Sequence, residues 1–132
     1  MSYDISFKVK VQDIDCYVEV GNCQANTTWN VREMICKATG LEWKNCENNG
    51  YCKDIIPFIE KGWSELHKYP EKYKKYEAKN GWGTVETTKG FFEHIIKDWE
   101  EFCKDCEWCE STKPLKDVAT FWIELRRVKR ND

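Results

Sequence analysis

Ile5-Ser6-Phe7-Lys8-Val9-Lys10-Val11 decides how the chain folds. Apolar residues occupy every second position, with a serine and two lysines between them. Successive residues of a strand point to opposite faces, so this pattern predicts a half-buried strand. Gln12-Asp13-Ile14-Asp15 is a polar turn. Cys16, Val18 and Val20 then alternate with Tyr17 and Glu19 up to Gly21-Asn22, giving a second strand and a hairpin. Near the other end, Phe121, Ile123 and Leu125 alternate with Trp122, Glu124 and Arg126, which makes a third strand.

The intervening chain reads as helical. Thr28 or Asn30 can cap a helix over 31–39, with Gly40 as its stop. Ile55, Ile59, Trp63 and Leu66 recur at helical spacing behind a cap at Asp54, with Pro57 in the first turn. Residues 71–78 form a short charged helix, and Thr84 caps a long one running to about Cys109. Segments 23–30 and 41–51 are polar and rich in Asn, and read as loops. The expected architecture is a single α+β domain over 1–132. A small, mostly antiparallel, three-stranded sheet is built from the N-terminal hairpin and the C-terminal strand, and about four helices cover one face.

Composition narrows the function. The 132 residues carry a net charge of −2, which disfavours a general nucleic-acid coat or a membrane-surface protein. No apolar run approaches the roughly 20 residues that cross a bilayer. The alternating start is unlike a signal peptide, so the expectation is the cytoplasm, with the 8 cysteines reduced. Aromatic residues make up 14% of the chain, enough both to anchor a small core and to line a ligand site.

Cys103, Cys106 and Cys109 form C-x-x-C-x-x-C, a spacing that can hold zinc or an iron–sulfur cluster if Cys46 or Cys52 supplies a fourth ligand. The same thiols continue the apolar stripe of the long helix, and a reduced cysteine packs as a small hydrophobe. Packing is the simpler reading, so no cofactor is expected and zinc is the alternative. Lys68, Tyr69, Lys72, Tyr73, Lys74, Lys75, Tyr76 and Lys79 interleave cations with rings, as phosphate binding and base stacking require. A solvated helix with its rings on the core explains the pattern equally. Arg126, Arg127, Lys129 and Arg130 form a second basic cluster, or a solubilising tail. Trp29, Asn30, Trp82 and Thr84 fall at turns, where Gly81 and Gly83 would let backbone N–H groups approach a ligand. The alternative makes the threonines helix caps and the indoles core. No nucleophile elbow, P-loop, dinucleotide fingerprint or zinc-protease motif occurs, and nothing selects His67 or His94 as a catalytic base.

Several segments also match a pattern. Met1-Ser2-Tyr3-Asp4-Ile5, Thr28-Trp29-Asn30-Val31 with Met34, the 57–66 stretch, Tyr73-Lys74-Lys75-Tyr76 and Asn80-Gly81-Trp82-Gly83-Thr84 together resemble a family of small proteins of tailed bacteriophages and some bacteria. The resemblance covers roughly residues 1–100. It implies a phage-type origin and a shared fold, and it carries no catalytic residues.

The expectation is thus a non-enzymatic, phage-type accessory protein that counters host defence by sequestering a small nucleotide-type immune signal, as a homo-oligomer. The candidate ligand residues are Trp29, Asn30, Lys72, Tyr73, Lys75, Tyr76, Trp82, Thr84, Arg126 and Arg127. Two rivals stand beside it. One is an anti-CRISPR-like inhibitor of a host defence complex such as a nuclease, mimicking phosphates with Glu100, Glu101, Asp105, Glu107 and Glu110. The other is a structural module held by metal at Cys103, Cys106 and Cys109. Neither a membrane nor nucleic acid is an expected partner.

Overall fold

The computed structural model describes residues 1–126. Its centre is β1 (Ser2–Lys10), the strand that the opening alternation predicts. β2 (Tyr17–Val20) pairs with it across the predicted turn, and β5 (Thr120–Arg126) returns along its other side. The α+β class and the antiparallel sheet therefore stand.

The strand count does not. The described sheet has five strands in the order β2-β1-β5-β4, with β3 also beside β1. β3 (Asn26–Thr28) and β4 (Asn48–Tyr51) fall in the segments read as loops. β3 continues the edge begun by β2, pairing with Ser2, Tyr3 and Asp4. The interruption between them starts at Gly21, which has φ +68 and sits against the Phe102 ring. β4 covers the far edge of β5 through an irregular register between Asn48 and Tyr51.

One face of the sheet is covered. Tyr3, Ile5 and Phe7 of β1 and Phe121 and Ile123 of β5 point into it and are at most 1% exposed. Three helices close this face: α1 (Arg32–Thr39), α2 (Cys52–Lys68) and α4 (Val85–Cys106). Phe92, Ile95, Trp99 and Phe102 form the inward stripe of α4. Phe7 meets Trp99 edge-on at 5.3 Å and Trp43 meets Phe121 at 6.1 Å, the geometry that the ring quadrupole favours. Gly62 lets α2 approach its neighbours, since a Cβ there would lie 2.6 Å from Thr39 Cγ2 and 2.9 Å from Phe92.

Helix ends differ from the sequence reading where tertiary contacts intervene. Gly40 stops α1 with φ +77, as expected. α2 starts two residues before Asp54, because the Cys52 N–H donates to the Ala119 carbonyl at 2.8 Å and ties the helix start to the segment that leads into β5. Pro57 therefore sits inside the helix rather than in its first turn. The predicted 71–78 helix is a short α3 (Pro70–Tyr73) followed by a 3-10 turn, Lys74–Tyr76. α4 ends at Cys106 instead of Cys109. There the Thr112 hydroxyl donates to the Cys106 carbonyl at 2.7 Å and turns the chain toward α5 (Leu115–Val118). Among the described residues, no helix is long and apolar enough to cross a membrane.

Candidate ligand-binding site

The candidate residues begin at a 3-10 turn, Trp29–Val31, which follows β3 directly. The Thr28 side chain caps this turn by accepting from the Asn30 N–H. Across from it, residues 77–84 fold back on themselves. The Ala78 N–H donates to the Gly83 carbonyl at 3.1 Å, and the Trp82 N–H donates to Asn80 Oδ1 at 3.0 Å. Gly83 locks the two segments together. Its φ is +122, and a Cβ would fall 2.5 Å from Val31 Cγ1 and 3.0 Å from Thr28 Cγ2. This requirement for glycine gives the Asn80-Gly81-Trp82-Gly83 segment a structural meaning: it is the only residue type that fits.

The contact brings Asn30 to the loop. Its side-chain amide donates to the Trp82 carbonyl at 3.4 Å. A hollow of about 460 Å³ opens beside it, lined by Asn30, Glu33, Lys75, Tyr76, Lys79 and Asn80 among others. Trp82 is 70% exposed, and Trp29 is half-exposed. Lys75 Nζ lies 5.2 Å from the Tyr76 ring centre, so cation and ring share one wall. Glu77 also lines the hollow, but its Oε2 accepts from the Val85 N–H at 2.8 Å. That bond engages the carboxylate at the start of α4, where the helix dipole favours a negative charge.

The remaining candidates separate. Tyr73 is buried, and its hydroxyl donates to Glu65 Oε2 at 3.1 Å. Burial, then Glu65, pushes its pKa up to about 12. It is a core ring with a satisfied polar end. Lys72 lies over that ring at 5.4 Å, outside the hollow's lining. Thr84 caps α4 in a reciprocal box with Thr87, the structural alternative weighed for it. Arg126 lies on the other, uncovered face of the sheet, over which no described helix packs, with Nε 3.2 Å from Asp4 Oδ2. Arg127 lies outside the described residues. Sequence reading missed Glu33, which stands one helical step from Asn30 at i+3 and reaches the hollow for that reason.

The three C-terminal thiols do not converge. Cys106 is buried, Cys103 is half-buried on the helix, and Cys109 is exposed on the turn beyond the helix. Among the described residues, no group of three or more His, Cys, Asp or Glu side chains is arranged to hold a metal ion. Their protonation differs accordingly. Burial raises the pKa of Cys103 and Cys106, whereas the Ser111 and Thr112 hydroxyls, 3.2 and 3.3 Å from Cys109 Sγ, lower its pKa to about 7.

The histidines are also engaged. His67 stacks on Trp63 at 4.7 Å, with Nδ1 3.1 Å from Lys89 Nζ. His94 Nε2 lies 3.7 Å from the buried Asp98, whose Oδ2 accepts from the Gln24 N–H at 2.9 Å. Cys23 approaches the same carboxylate, and burial, reinforced by Asp98, raises its pKa to about 12. A thiol held protonated in this way is not prepared as a nucleophile. No family model, curated protein or solved structure matches the chain.

Proposed function

We propose that this is a phage-type accessory protein that counters host defence by binding, and that it holds a small nucleotide-type signal in the hollow between Asn30 and Asn80. One observation carries the reading. Asn30, the Lys75–Tyr76 pair and Asn80 come from three separate turns and line one open hollow of about 460 Å³, within the size range of small-ligand sites. Lys75 and Lys79 supply charge for a phosphate, Asn30 and Asn80 supply amides for directional hydrogen bonds, and Tyr76 supplies a ring for a base. Sequestration requires retention and no reaction, which suits a site without an activated nucleophile. A second copy of the chain closing over Trp82 would complete the enclosure.

Thermal melting and native mass spectrometry test this with cyclic dinucleotides and ADP-ribose derivatives. One of them should be retained by the purified protein and raise its melting temperature, and Lys75→Glu should weaken retention about 10-fold or more. If none is retained and none shifts the melt, the reading fails.

A second reading rests on Trp108, which is 86% exposed next to Glu107 and Glu110, whose carboxylates pair with Lys116 and Lys113. An exposed indole rimmed by ion pairs is a fitting anchor for a host protein. Co-purification of a host defence protein that is lost in Trp108→Ala would favour inhibition of that partner over ligand sequestration.

A further inference from the structure

The uncovered face of the sheet holds a second hollow, at the end nearest α5. Its volume is about 500 Å³. Tyr17, Tyr51, Val118, Thr120 and Lys10 line it, over the backbone of β1 at Val9. The register explains how it arises. Tyr17 pairs with Lys10, and Tyr51 pairs with Thr120, so these residues come to the same end of the sheet from four different strands. The register shift between Asn48 and Tyr51 breaks the ladder of β4 there and opens the concavity.

Two features select the ligand. The first is the rings. Tyr51 and Val118 are 48% and 44% exposed, so apolar surface remains in contact with water around a concave site. The Tyr17 ring is itself set by Trp122, which meets it at 5.0 Å. The second is charge. None of the residues lining this hollow carries a carboxylate. The neighbouring hollow on the same face is rimmed by Asp4, Glu19 and Glu124, and the one beside Lys75 by Glu33 and Glu77. Lys10 lines the hollow, and Lys53 lies 5.6 Å from the Tyr51 ring at its edge. Lys8, by contrast, is engaged by Glu124 at 2.8 Å. In a chain with 23 acidic residues, a carboxylate-free pocket with two phenol rings and nearby cations favours a flat anion.

We propose that this hollow binds an aromatic anion of mononucleotide size, its ring against Tyr17 and Tyr51 and its acidic group at Lys10. The site is separate from the one beside Lys75 and does not depend on it. Binding is reversible, without a covalent step. The two parts of the ligand contribute through different contacts, so neither half alone should be held as well as the whole.

A built-in reporter makes the proposal testable. The Trp122 indole N–H donates to Thr120 Oγ1 at 2.8 Å, and Thr120 lines the hollow. Its resonance in a ¹⁵N–¹H spectrum is assigned by its loss in Trp122→Phe. Titration with AMP should move it saturably. Adenosine should require at least about 10-fold more ligand, and inorganic phosphate should leave it in place. Lys10→Glu and Tyr51→Ala, both surface changes that should leave the melting temperature within a few degrees of the parent, should each weaken AMP binding about 10-fold or more. An absence of saturation at millimolar AMP overturns the proposal, as does a titration unaffected by both variants. Loss of the shift in Lys75→Glu instead would assign AMP to the other hollow and overturn it as well.

Discussion

The two faces of the sheet are made from the same strands and behave as different materials. On the covered face, Phe7 is fully buried among Trp99, Phe102 and Phe121. One residue further along β1, Lys8 points the other way, lies over the Trp122 ring at 4.6 Å and pairs with Glu124. Asp4 and Arg126 make a second polar pair across β1 and β5 on that same face. The difference teaches that a period of two does more than mark a strand. It concentrates the apolar stabilisation on one side and leaves the other side free to present chemistry.

The largest contrast between interior and surface should appear in the thiols. Cys109, exposed with a pKa lowered to about 7, is already a thiolate in good part at pH 7.5. Cys23, at about 12, is almost wholly protonated there, and Cys52 is raised further. The thiolate is the reactive form, so iodoacetamide should label Cys109 on the order of 10³-fold faster than Cys23 or faster, read by peptide mass spectrometry. Labelling of Cys109 should slow as pH falls below about 7, because its proton is then retained. Comparable labelling of Cys23 in the folded protein would contradict the burial of that edge.

Adjacent residues of β1 provide the next test. Phe7→Ala removes a ring from the centre of the core and should lower the unfolding free energy by about 3–5 kcal/mol in urea denaturation. Lys8→Ala removes a partly exposed ion pair and should cost less than about 1 kcal/mol. If the two costs were similar, the uncovered face would be bearing structural load, and its availability for a ligand would be in doubt.

The faces were legible in the sequence to the extent that their causes are local. The β1 alternation, the Gly40 stop, the Thr84 cap and the β5 alternation are written in neighbouring residues, and each appears where expected. β3 and β4 were not legible. Asn26-Thr27-Thr28 is too short to show an alternation, and Asn48-Asn49-Gly50-Tyr51 is mostly Asn and Gly, which strands disfavour, so both are extended because β1 and β5 offer them open edges. The end of α4 was misread because Cys109 keeps the spacing of three, whereas the bond from Thr112 to the Cys106 carbonyl ends the helix. In the candidate site, Asn30, Lys75, Tyr76 and Trp82 could be picked out singly as turn residues or as cations beside rings. Their meeting could not, since it depends on Gly83 packing against Val31 far away in sequence. Tyr73 illustrates the opposite limit: in sequence it is indistinguishable from Tyr76, and only packing sends one inward and leaves the other at a hollow.

The smallest effect separates two glycines within the helix layer itself. Gly62 and Gly90 both sit in helix interiors, where glycine is a poor choice on backbone grounds alone. At Gly62 a methyl group would meet Thr39 and Phe92 inside 3 Å, so Gly62→Ala should destabilise by about 1–3 kcal/mol despite its better helix propensity. At Gly90 a Cβ would meet nothing within 4 Å. Gly90→Ala should therefore raise stability by about 0.5–1 kcal/mol, through a less disordered unfolded chain and a better helix former. Opposite signs for one chemical change, measured side by side in urea, would place the tight α1–α2–α4 junction at Gly62. A stabilising Gly62→Ala would mean that the helices have room to part there, and that the covered face is packed more loosely than its ring contacts imply.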